Sequence, residues 1–549
     1  MTALLTDNLP LLAGAPNGIK KLRELILELA VRGKLVPQDP RDEPASELLK
    51  RIAEEKARLV AEGKIKRQKQ LADIGEEEWP FELPEQWAWV RLADLAYPQA
   101  GFAFKSGGFN TSGLGLPLIR IRDVGQSFSG TFYEGEYRSE FVVERGDYLI
   151  SMDGQFRVAT WQGDSALLNQ RVARLIFFGN ESACRFIADS LQARLLELQG
   201  VKAYTTVDHL SGGQISEAII ALPPLAEQHR IVAKVDKLMA LCDRLEAQQA
   251  DAESAHAQLV QALLDSLTQA SDAEDFAQNW QRLAEHFHTL FTTESSIDAL
   301  KQTLLQLAVM GKLVPQDSGD EPASALLKRI AEEKARLVVE GKIKKQKLLA
   351  QIGADEGSSK VSSGWELVRF GQLIELISGQ HLGPDEYFDS PQDGAIPYLT
   401  GPAEFGEVHP QPTRFTHERR ATSIQGDILL TVKGSGVGKT NFVDQEELAI
   451  SRQLMAIRPV LLDTQFTRYL LLSMAEHFQS KSIGIAIPGI SREDVLDAPI
   501  GLPPLPEQHR IVAKVDQLMA LCDQLKARLN QARQVHEQLA NALVEQAVA

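Results

Sequence analysis

Apolar residues recur at alternating spacings of four and three in two long segments of the chain. In the second segment this pattern occupies Ile511, Val515, Leu518, Cys522, Leu525, Leu529, Ala532, His536, Leu539 and Leu543. The first segment has the same spacing from Ile231 to Leu263, with Cys242 and His256 at the matching positions. A heptad pattern of this length predicts a coiled-coil helix in each segment. We expect the helices to pair in antiparallel orientation, with the histidines and cysteines in core or register positions.

Ahead of each long helix the pattern changes to short apolar runs that glycine and proline interrupt. Such runs predict β-strands, and longer amphipathic stretches follow them. The predicted strands are 116–124, 146–152, 171–177, 396–400, 426–432 and 453–459, and the predicted helices are 184–199 and 464–479. The fold class is therefore α+β (mixed α/β), with two globular domains separated by long helices.

The chain contains an internal repeat. Residues 29–75 match residues 307–353 at 39 of 47 positions, and residues 222–247 match residues 502–527 at 22 of 26. The segments between these matches, about 96–221 and 374–501, have diverged almost completely. We call them the first and second inserts, and the repeated parts the frame. A constant frame with diverged inserts predicts a pseudo-two-fold arrangement in which two unlike targets are bound.

Composition limits the class of protein. The 549 residues carry a net charge of -16, which argues against non-specific coating of nucleic acid. The inserts hold 11 basic and 13 acidic, and 10 basic and 17 acidic residues, respectively. Three cysteines exclude a disulfide scaffold, and the chain has no apolar run that would span a membrane and no export signal, so we expect a cytoplasmic protein.

Two segments of the frame, 50–69 and 328–347, are predicted to be basic helices. Each contains eight lysines or arginines and three glutamates. Such a helix is either a solvated face or an arm that contacts phosphates or a partner, and the sequence leaves both possibilities open.

Two motifs, one of them repeated, resemble catalytic sites. The segment 434–440 resembles a P-loop, but Lys433 stands where the Walker pattern requires its first glycine. Asp39, Glu54 and Lys56 imitate a nuclease signature, and the frame repeats them, but they belong to a charged helical segment. We find no amino-methyltransferase motif and no metal cluster. The sequence therefore predicts no catalytic residue and no metal site.

The two LPPL(A/P)EQHRIVAKVD(K/Q)LMALCD segments, the paired GD(Y/I)L strands and the GKLVPQD segments give the chain a family resemblance. It resembles the specificity subunit of type I restriction–modification enzymes over essentially its whole length. The resemblance implies that each insert is a target-recognition domain that reads half of a bipartite site in double-stranded DNA. It implies that the helices set the spacer and dock two modification (methyltransferase) subunits, which two restriction/translocase subunits can join. S-adenosylmethionine, ATP and Mg would then belong to the partners, with no cofactor in this chain.

The resulting domain boundaries are a helical region with a basic arm (1–95), target-recognition domain 1 (96–221), central coiled-coil helices (222–310), a second basic arm (311–373), target-recognition domain 2 (374–501) and a C-terminal coiled-coil helix (502–549). Arginine and lysine suit guanine edges, whereas asparagine and glutamine suit adenine. The candidate DNA contacts in the first domain are Lys105, Ser106, Arg120, Arg122, Gln155, Arg157, Asn169, Gln170 and Arg171. Those in the second domain are Tyr398, Thr400, Ser435, Lys439, Arg452 and Gln453.

The sequence leaves a second class of function open. A coiled-coil scaffold that carries two protein-binding modules would show the same repeat and the same diverged inserts. Each candidate contact could equally bind phosphate or serve the fold.

Overall fold

The computed structural model describes residues 9–67, 71–178, 181–201, 209–270, 273–347, 349, 351–353, 362–434, 436–482 and 489–548. The chain forms two units. The first unit is Met1–Asp251 with Ala532–Ala549, and the second is Ala252–Gln531. Each unit contains one copy of the frame, one insert and the end of the other copy's long helix.

The first unit is built from short helices around the insert and from the start of a long helix. Its helices are α1 (Leu9–Gly14), α2 (Gly18–Val31), α3 (Ala45–Ala61), α4 (Leu92–Leu95), α5 (Glu181–Val201), α6 (Gly212–Glu217) and the long α7 (Leu225–Thr268), which continues into the second unit. Its strands are β1 (Ala88–Arg91), β2 (Ala96–Ala100), β3 (Phe109–Asn110), β4 (Leu116–Ile119), β5 (Phe132–Tyr133), β6 (Val142–Val143), β7 (Tyr148–Ser151), β8 (Val158–Thr160), β9 (Ala166–Leu168), β10 (Val172–Phe177) and β11 (Ile219–Leu222).

The second unit repeats this order. Its helices are α8 (Ala273–Glu285), α9 (Phe287–Leu290), α10 (Glu294–Val309), α11 (Ala323–Val339), α12 (Phe370–Leu373), α13 (Thr464–Ser473), α14 (Ala475–Lys481), α15 (Arg492–Leu496) and the long α16 (Leu505–Val548), which ends in the first unit. Its strands are β12 (Glu366–Arg369), β13 (Ile374–Ser378), β14 (Ile396–Leu399), β15 (Arg414–Thr416), β16 (Thr422–Ile424), β17 (Ile428–Thr431), β18 (Thr440–Phe442), β19 (Glu447–Ile450), β20 (Leu454–Pro459) and β21 (Pro499–Leu502).

The sheets of the two inserts have matching topologies except for one additional strand, β3, in the first insert. The first insert holds a four-stranded sheet, β2-β10-β7-β8, and the second holds β13-β20-β17-β18. A second sheet follows in each insert, β3-β5-β4-β9-β6 and β15-β14-β19-β16. Short antiparallel pairs, β1 with β11 and β12 with β21, join the beginning of each insert to its end. Five of the six predicted strands and the predicted helices of the inserts are confirmed, although the second of these helices is divided at Met474. The strand predicted at 116–124 ends at Ile119, because residues 121–123 form a 3-10 turn.

The LPPL(A/P)EQHR motif joins the start of each long helix to the frame. The guanidinium of Arg230 contacts Asp42 at 2.6 Å, and that of Arg510 contacts Asp320 at the same distance. The buried side chain of Gln228 donates to the carbonyl of Pro223 at 2.8 Å, as its repeat does to Pro503 at 3.1 Å. In both copies the motif therefore holds the start of the long helix in place.

The two long helices share cores at opposite ends. In the first unit, Ile231, Val235 and Cys242 of α7 lie in one cluster with Ala540 of α16. In the second unit, Ile511, Val515 and Cys522 of α16 lie in one cluster with Val260, Leu264 and Leu267 of α7. The start of each helix thus packs beside the end of the other, as the antiparallel arrangement requires. We call the heptad positions of each long helix its seam. The seam cysteines, Cys242 and Cys522, are both buried, as predicted.

The predicted seam is wrong toward the ends of these helices. Leu259 and Leu539 are 52% and 46% exposed, and the buried residues are Val260 and Ala540, one position later. An α-helix lags a strict heptad by about 20° in every seven residues, hence by about 80° over four heptads. Moving one residue along the helix adds about 100°, which restores the original face.

The seam histidines bind backbone carbonyls within each unit. His536 Nε2 lies 2.8 Å from the carbonyl oxygen of Leu11, and His256 Nε2 lies 3.3 Å from that of Thr289. Both residues therefore serve register, as predicted from their place on the seam.

The basic segments are shorter helices than predicted. They end at Ala61 and Val339, because Gly63 and Gly341 adopt φ of 70° and reverse the chain. Several of their charges are paired with carboxylates, since Arg58 contacts Glu55 and Glu62 within the segment and Arg51 contacts Glu43 just ahead of it. The helical prediction for residues 62–67 and 340–347 is thus wrong where the structure describes them, and residues 68–69 lie outside the described ranges.

The lysines of the nuclease-like signature have a structural role. Lys56 Nζ donates to the carbonyl oxygen of Ala93 at 2.8 Å and to Asp94 at 2.9 Å, at the end of α4. Its repeat, Lys334, donates to the carbonyls of Gly371 and Ile374 around α12. Burial lowers the pKa of Lys334 to about 8. Each lysine therefore connects a helix of the frame, α3 or α11, to the short helix that directly precedes an insert, α4 or α12.

Candidate nucleic-acid interface

The candidate contacts of the first insert lie where several strands end. Strands β4 and β9 run parallel, with Leu118 opposite Leu167, so their carboxyl ends share one edge. Arg120 and Arg122 follow β4, and Asn169 to Arg171 follow β9. The turn 152–157, with Gln155 and Arg157, follows β7 in the neighbouring sheet. We call this end of the first insert its reading edge.

Close backbone contacts hold these turns together. A Cβ on Gly101 would lie 2.1 Å from the carbonyl oxygen of Asn169, and Phe102 N donates to Leu168 O at 2.9 Å. A Cβ on Gly125 would lie 4.0 Å from Arg157 Cδ, so the turn after β4 lies against that arginine. Lys105 and Ser106 follow the Gly101 turn on an exposed loop.

A buried carboxylate fixes the turn that carries Arg120 and Arg122. Asp123 accepts hydrogen bonds from the backbone N–H groups of Arg120 at 2.8 Å and Ser129 at 2.7 Å. Arg122 is exposed and Arg120 is half-buried. The backbone is thus rigid while the guanidinium groups face outward.

Arg171 belongs to a cluster of charged and polar groups. Its Nε lies 3.3 Å from Asp153 Oδ2, and its Nη1 lies 3.0 Å from His209 Nδ1. His209 Nδ1 also lies 2.6 Å from Asp153 Oδ1. Asp153 and His209 meet because their backbones form a β-bridge, although 56 residues separate them. No local sequence pattern could indicate this pair.

The second insert has an equivalent turn. Leu454 N donates to Ser451 O at 2.9 Å, as Val172 N does to Asn169 O. Val432 N donates to Gln453 O at 2.8 Å, as Met152 N does to Arg171 O at 3.0 Å. The sequence Ser451-Arg452-Gln453 therefore occupies the place of Asn169-Gln170-Arg171. Lys433 and Gly489 form the bridge that Asp153 and His209 form in the first insert.

The remaining candidates of the second insert have different surroundings. Lys439, Arg452 and Gln453 are exposed near this turn. Thr400 donates to Glu404 at 2.6 Å and is half-buried. Tyr398 is 3% exposed and packs with Leu382, Ile396 and Ala449, and burial raises its pKa. Tyr398 is therefore too buried to contact a base, and its prediction as a DNA contact is wrong. Ser435 lies outside the described residues.

Charge is distributed unevenly along the first insert. At its reading edge the four arginines Arg120, Arg122, Arg157 and Arg171 outnumber Asp123 and Asp153. Around the opposite end of β7 the carboxylates of Glu144, Asp147 and Asp164 outnumber Arg145 and Arg174. Asp147, from the GDYL motif, accepts from Glu144 N at 2.9 Å and contacts Arg174 at 3.2 Å, so it serves the fold. The acidic total of the insert therefore hides a basic edge, where phosphate contacts would need it.

The catalytic imitations do not form active sites. The segment 434–440 joins β17 to β18 in an antiparallel hairpin, whereas a P-loop leads from a strand into a helix. Within the described ranges, no group of three potential metal ligands converges, and no helix is long and apolar enough to cross a membrane.

One repeated frame that carries two inserts, with equivalent turns but different side chains, is the architecture of a two-site recognition protein. Residues 84–253 and 362–533 each match the model of the type I restriction modification DNA specificity domain. The chain therefore belongs to this family and contains its domain twice.

Similar proteins agree with this assignment. The chain is 39% identical to the type I restriction enzyme EcoEI specificity subunit of Escherichia coli and 38% identical to the EcoAI specificity subunit. Each match covers 97% of this chain and 94% of the relative. One chain in a solved structure of a type I restriction–modification system aligns with a TM-score of 0.52 and 21% identity, over 85% of this chain and 99% of that chain. This last similarity concerns the fold.

Proposed function

We propose that the chain selects the DNA site of a type I restriction–modification complex, with each insert reading one half of a bipartite sequence. The observation that carries the proposal is the pair of equivalent turns at 169–171 and 451–453. They keep one set of backbone hydrogen bonds and present different side chains. Two inserts with the same backbone arrangement but different side chains are suited to recognise two different half-sites.

The frame would supply the spacing and the partner surfaces. The boundaries proposed from the sequence are 96–221 and 374–501 for the readers, 222–310 for the central coiled-coil helices and 502–549 for the C-terminal one. The two copies of the frame would dock two modification subunits and, through them, two restriction subunits. Those partners would hold S-adenosylmethionine, ATP and Mg, while this chain performs recognition without chemistry. Because its substrate would be cellular DNA, we place the complex in the cytoplasm.

The test is to exchange the first insert, residues 96–221, for that of another family member and map N6-methyladenine across the host genome. The host carries the partner subunits but no restriction activity, and deletion of this gene gives the baseline. We expect a split motif in which one half changes and the spacer and other half persist. Absence of any split motif with the unmodified chain, while the assembled complex also fails to bind DNA, would overturn the proposal in favour of a protein-binding scaffold.

A further inference from the structure

We infer that the last residue of each equivalent turn determines specificity: Arg171 reads a guanine in one half-site, and Gln453 reads an adenine in the other. The inference rests on the proposed function and assigns a base to one named side chain in each insert. It depends on four features of the structure, which are the fixed backbone, the exposed side chains, their neighbours and the difference between the two copies.

The backbone of both residues is fixed. The carbonyl oxygens of Arg171 and Gln453 accept hydrogen bonds at 3.0 and 2.8 Å from Met152 N and Val432 N, respectively. Both side chains are exposed. A side chain that leaves a rigid backbone toward solvent loses little freedom when it meets a base edge, which favours discrimination.

The neighbours of Arg171 orient its guanidinium. Asp153, whose side chain is only 19% exposed, contacts Nε, and the ring of His209 lies beside Nη1. The Arg171 side chain remains 49% exposed, and its second η nitrogen has no partner among the residues that the structure describes. Asp153 and His209 thus hold Nε and Nη1, and the remaining Nη2 can donate to O6 or N7 of guanine.

Gln453 has a different support. Its side-chain amide lies over the backbone of Gly401, where an added Cβ would be 2.5 Å from Oε1. In place of Asp153 this edge carries Lys433, which is exposed and suits a phosphate rather than a second side chain. An uncharged amide with one donor and one acceptor matches N7 and N6 of adenine.

The experiment uses the full chain assembled with its methyltransferase subunits, with N6-methyladenine mapping as the readout. The insert exchange first assigns each half-site to its insert. Arg171→Gln should then change one guanine position of the first half-site to adenine or make it degenerate. Discrimination at that position should fall about 5- to 150-fold, while the second half-site and the spacer persist. Gln453→Arg should change one adenine position of the second half-site in the opposite sense.

Two further variants separate reading from folding. His209→Ala keeps the arginine but removes part of its support, so it should weaken discrimination at the same position by a smaller factor. Arg145→Gln is the matched control, because Arg145 is an exposed arginine of the same insert at the opposite end of β7, paired with Asp164. It should leave the motif unchanged.

Several results would overturn the inference. These are a first half-site without guanine, an unchanged motif for Arg171→Gln, or an equal loss of methylation at all sites with a reduced salt dependence, which would indicate a phosphate contact. If Arg171→Gln fails to assemble, His209→Ala decides, and an unchanged motif then counts against the inference. A missing split motif with the unmodified chain would instead refute the proposed function itself.

Discussion

The indole Nε1 of Trp87 donates a hydrogen bond to Oε2 of the buried Glu227 at 3.0 Å, and Gln38 donates to the other carboxylate oxygen at 2.7 Å. The repeat of this carboxylate, Glu507, is equally buried, but its Oε1 has no partner among the described residues. Burial raises the pKa of Glu507 to about 7. Both carboxylate oxygens of Glu227 in the first unit thus accept a hydrogen bond, whereas Oε1 of Glu507 in the second unit has no donor among the described residues.

We expect the stability of the second unit to depend on the protonation of Glu507. Because the pKa is about 7 in the folded state and 4.5 otherwise, the folded state binds more protons between these values. The free energy of unfolding therefore falls as pH rises through this window, by about 3 kcal/mol. Glu507→Gln should remove this loss. Urea denaturation at pH 5 and pH 8 measures the free energy of unfolding. Relative to the wild type, this free energy should be higher for the variant at pH 8 than at pH 5.

Glu227→Gln is the matched control for this prediction. The carboxylate of Glu227 accepts from two donors, and an amide would turn its NH2 group toward one of them. The variant should lose about 1–3 kcal/mol at pH 5. Burial raises the pKa of Glu227 as well, so the loss should be smaller at pH 8 but should not become a gain. Equal behaviour of the two variants would show that the missing partner of Glu507 has no energetic effect.

The aspartates of the paired GD(Y/I)L strands should differ in their effect on stability. Asp427 is buried and accepts two hydrogen bonds from Arg458 at 2.8 Å, and Glu375 is the other carboxylate on this guanidinium. Asp147 is partly exposed, and its partner Arg174 also binds Gln99 and a backbone carbonyl. Asp427→Asn should cost about 3–5 kcal/mol, because it breaks an ion pair whose carboxylate is buried. Asp147→Asn should cost less than about 1 kcal/mol. Chemical denaturation measures both, and similar losses would refute the distinction.

Local pattern predicted the elements of this fold because each has a strong periodic signal. The strand at Tyr148–Ser151 and the helices before and after the inserts occur where the spacing of apolar residues places them. The same reasoning failed at Leu259 and Leu539, because a heptad count ignores the 3.6-residue turn of the real helix. It also failed for Tyr398, since a polar aromatic residue in a strand gives no sign of which face is buried.

The reading edges could be predicted only in part. Asn169 to Arg171 were identifiable as polar residues next to a buried strand, and the structure places them at the edge. The support of Arg171 by Asp153 and His209 depends on a bridge between distant segments, so the sequence contained no signal for it. Lys433 was not among the candidate contacts, because it belongs to a segment that resembles a P-loop without its first glycine. The hairpin of β17 and β18 brings it beside the turn 451–453.

Lengthening both long helices should lengthen the spacer of the recognised site. Residues 247–255 are exposed, as are their repeats 527–535 apart from the half-buried Leu529, so insertion near 250 and 530 disturbs little packing. Four residues add about 6 Å per helix, which corresponds to at most about two base pairs. Methylation mapping should show both half-sites unchanged with a longer gap. An unchanged gap would refute the idea that the helices measure the spacer, and lengthening α7 alone should reduce methylation instead.

Gly401→Ala should impair the reading of the second half-site without unfolding the insert. The φ of Gly401 is 174°, so its backbone is extended and tolerates a side chain. The added Cβ would stand 2.5 Å from Gln453 Oε1 and must displace this amide. Gly401 is itself buried, but the three atoms nearest to the added Cβ all belong to the exposed side chain of Gln453, which can move away. The unfolding free energy should therefore change by less than about 0.5 kcal/mol.

The effect of Gly401→Ala on specificity should be confined to one base pair. Methylation mapping should show one adenine position of the second half-site becoming degenerate, as in Gln453→Ala, with the first half-site intact. Gly383→Ala is the control, because a Cβ there meets its nearest atom, Glu386 Oε2, at an ordinary 3.6 Å. A motif that stays intact in Gly401→Ala while Gln453→Ala changes it would show that the amide reads its base from a position other than the one over Gly401.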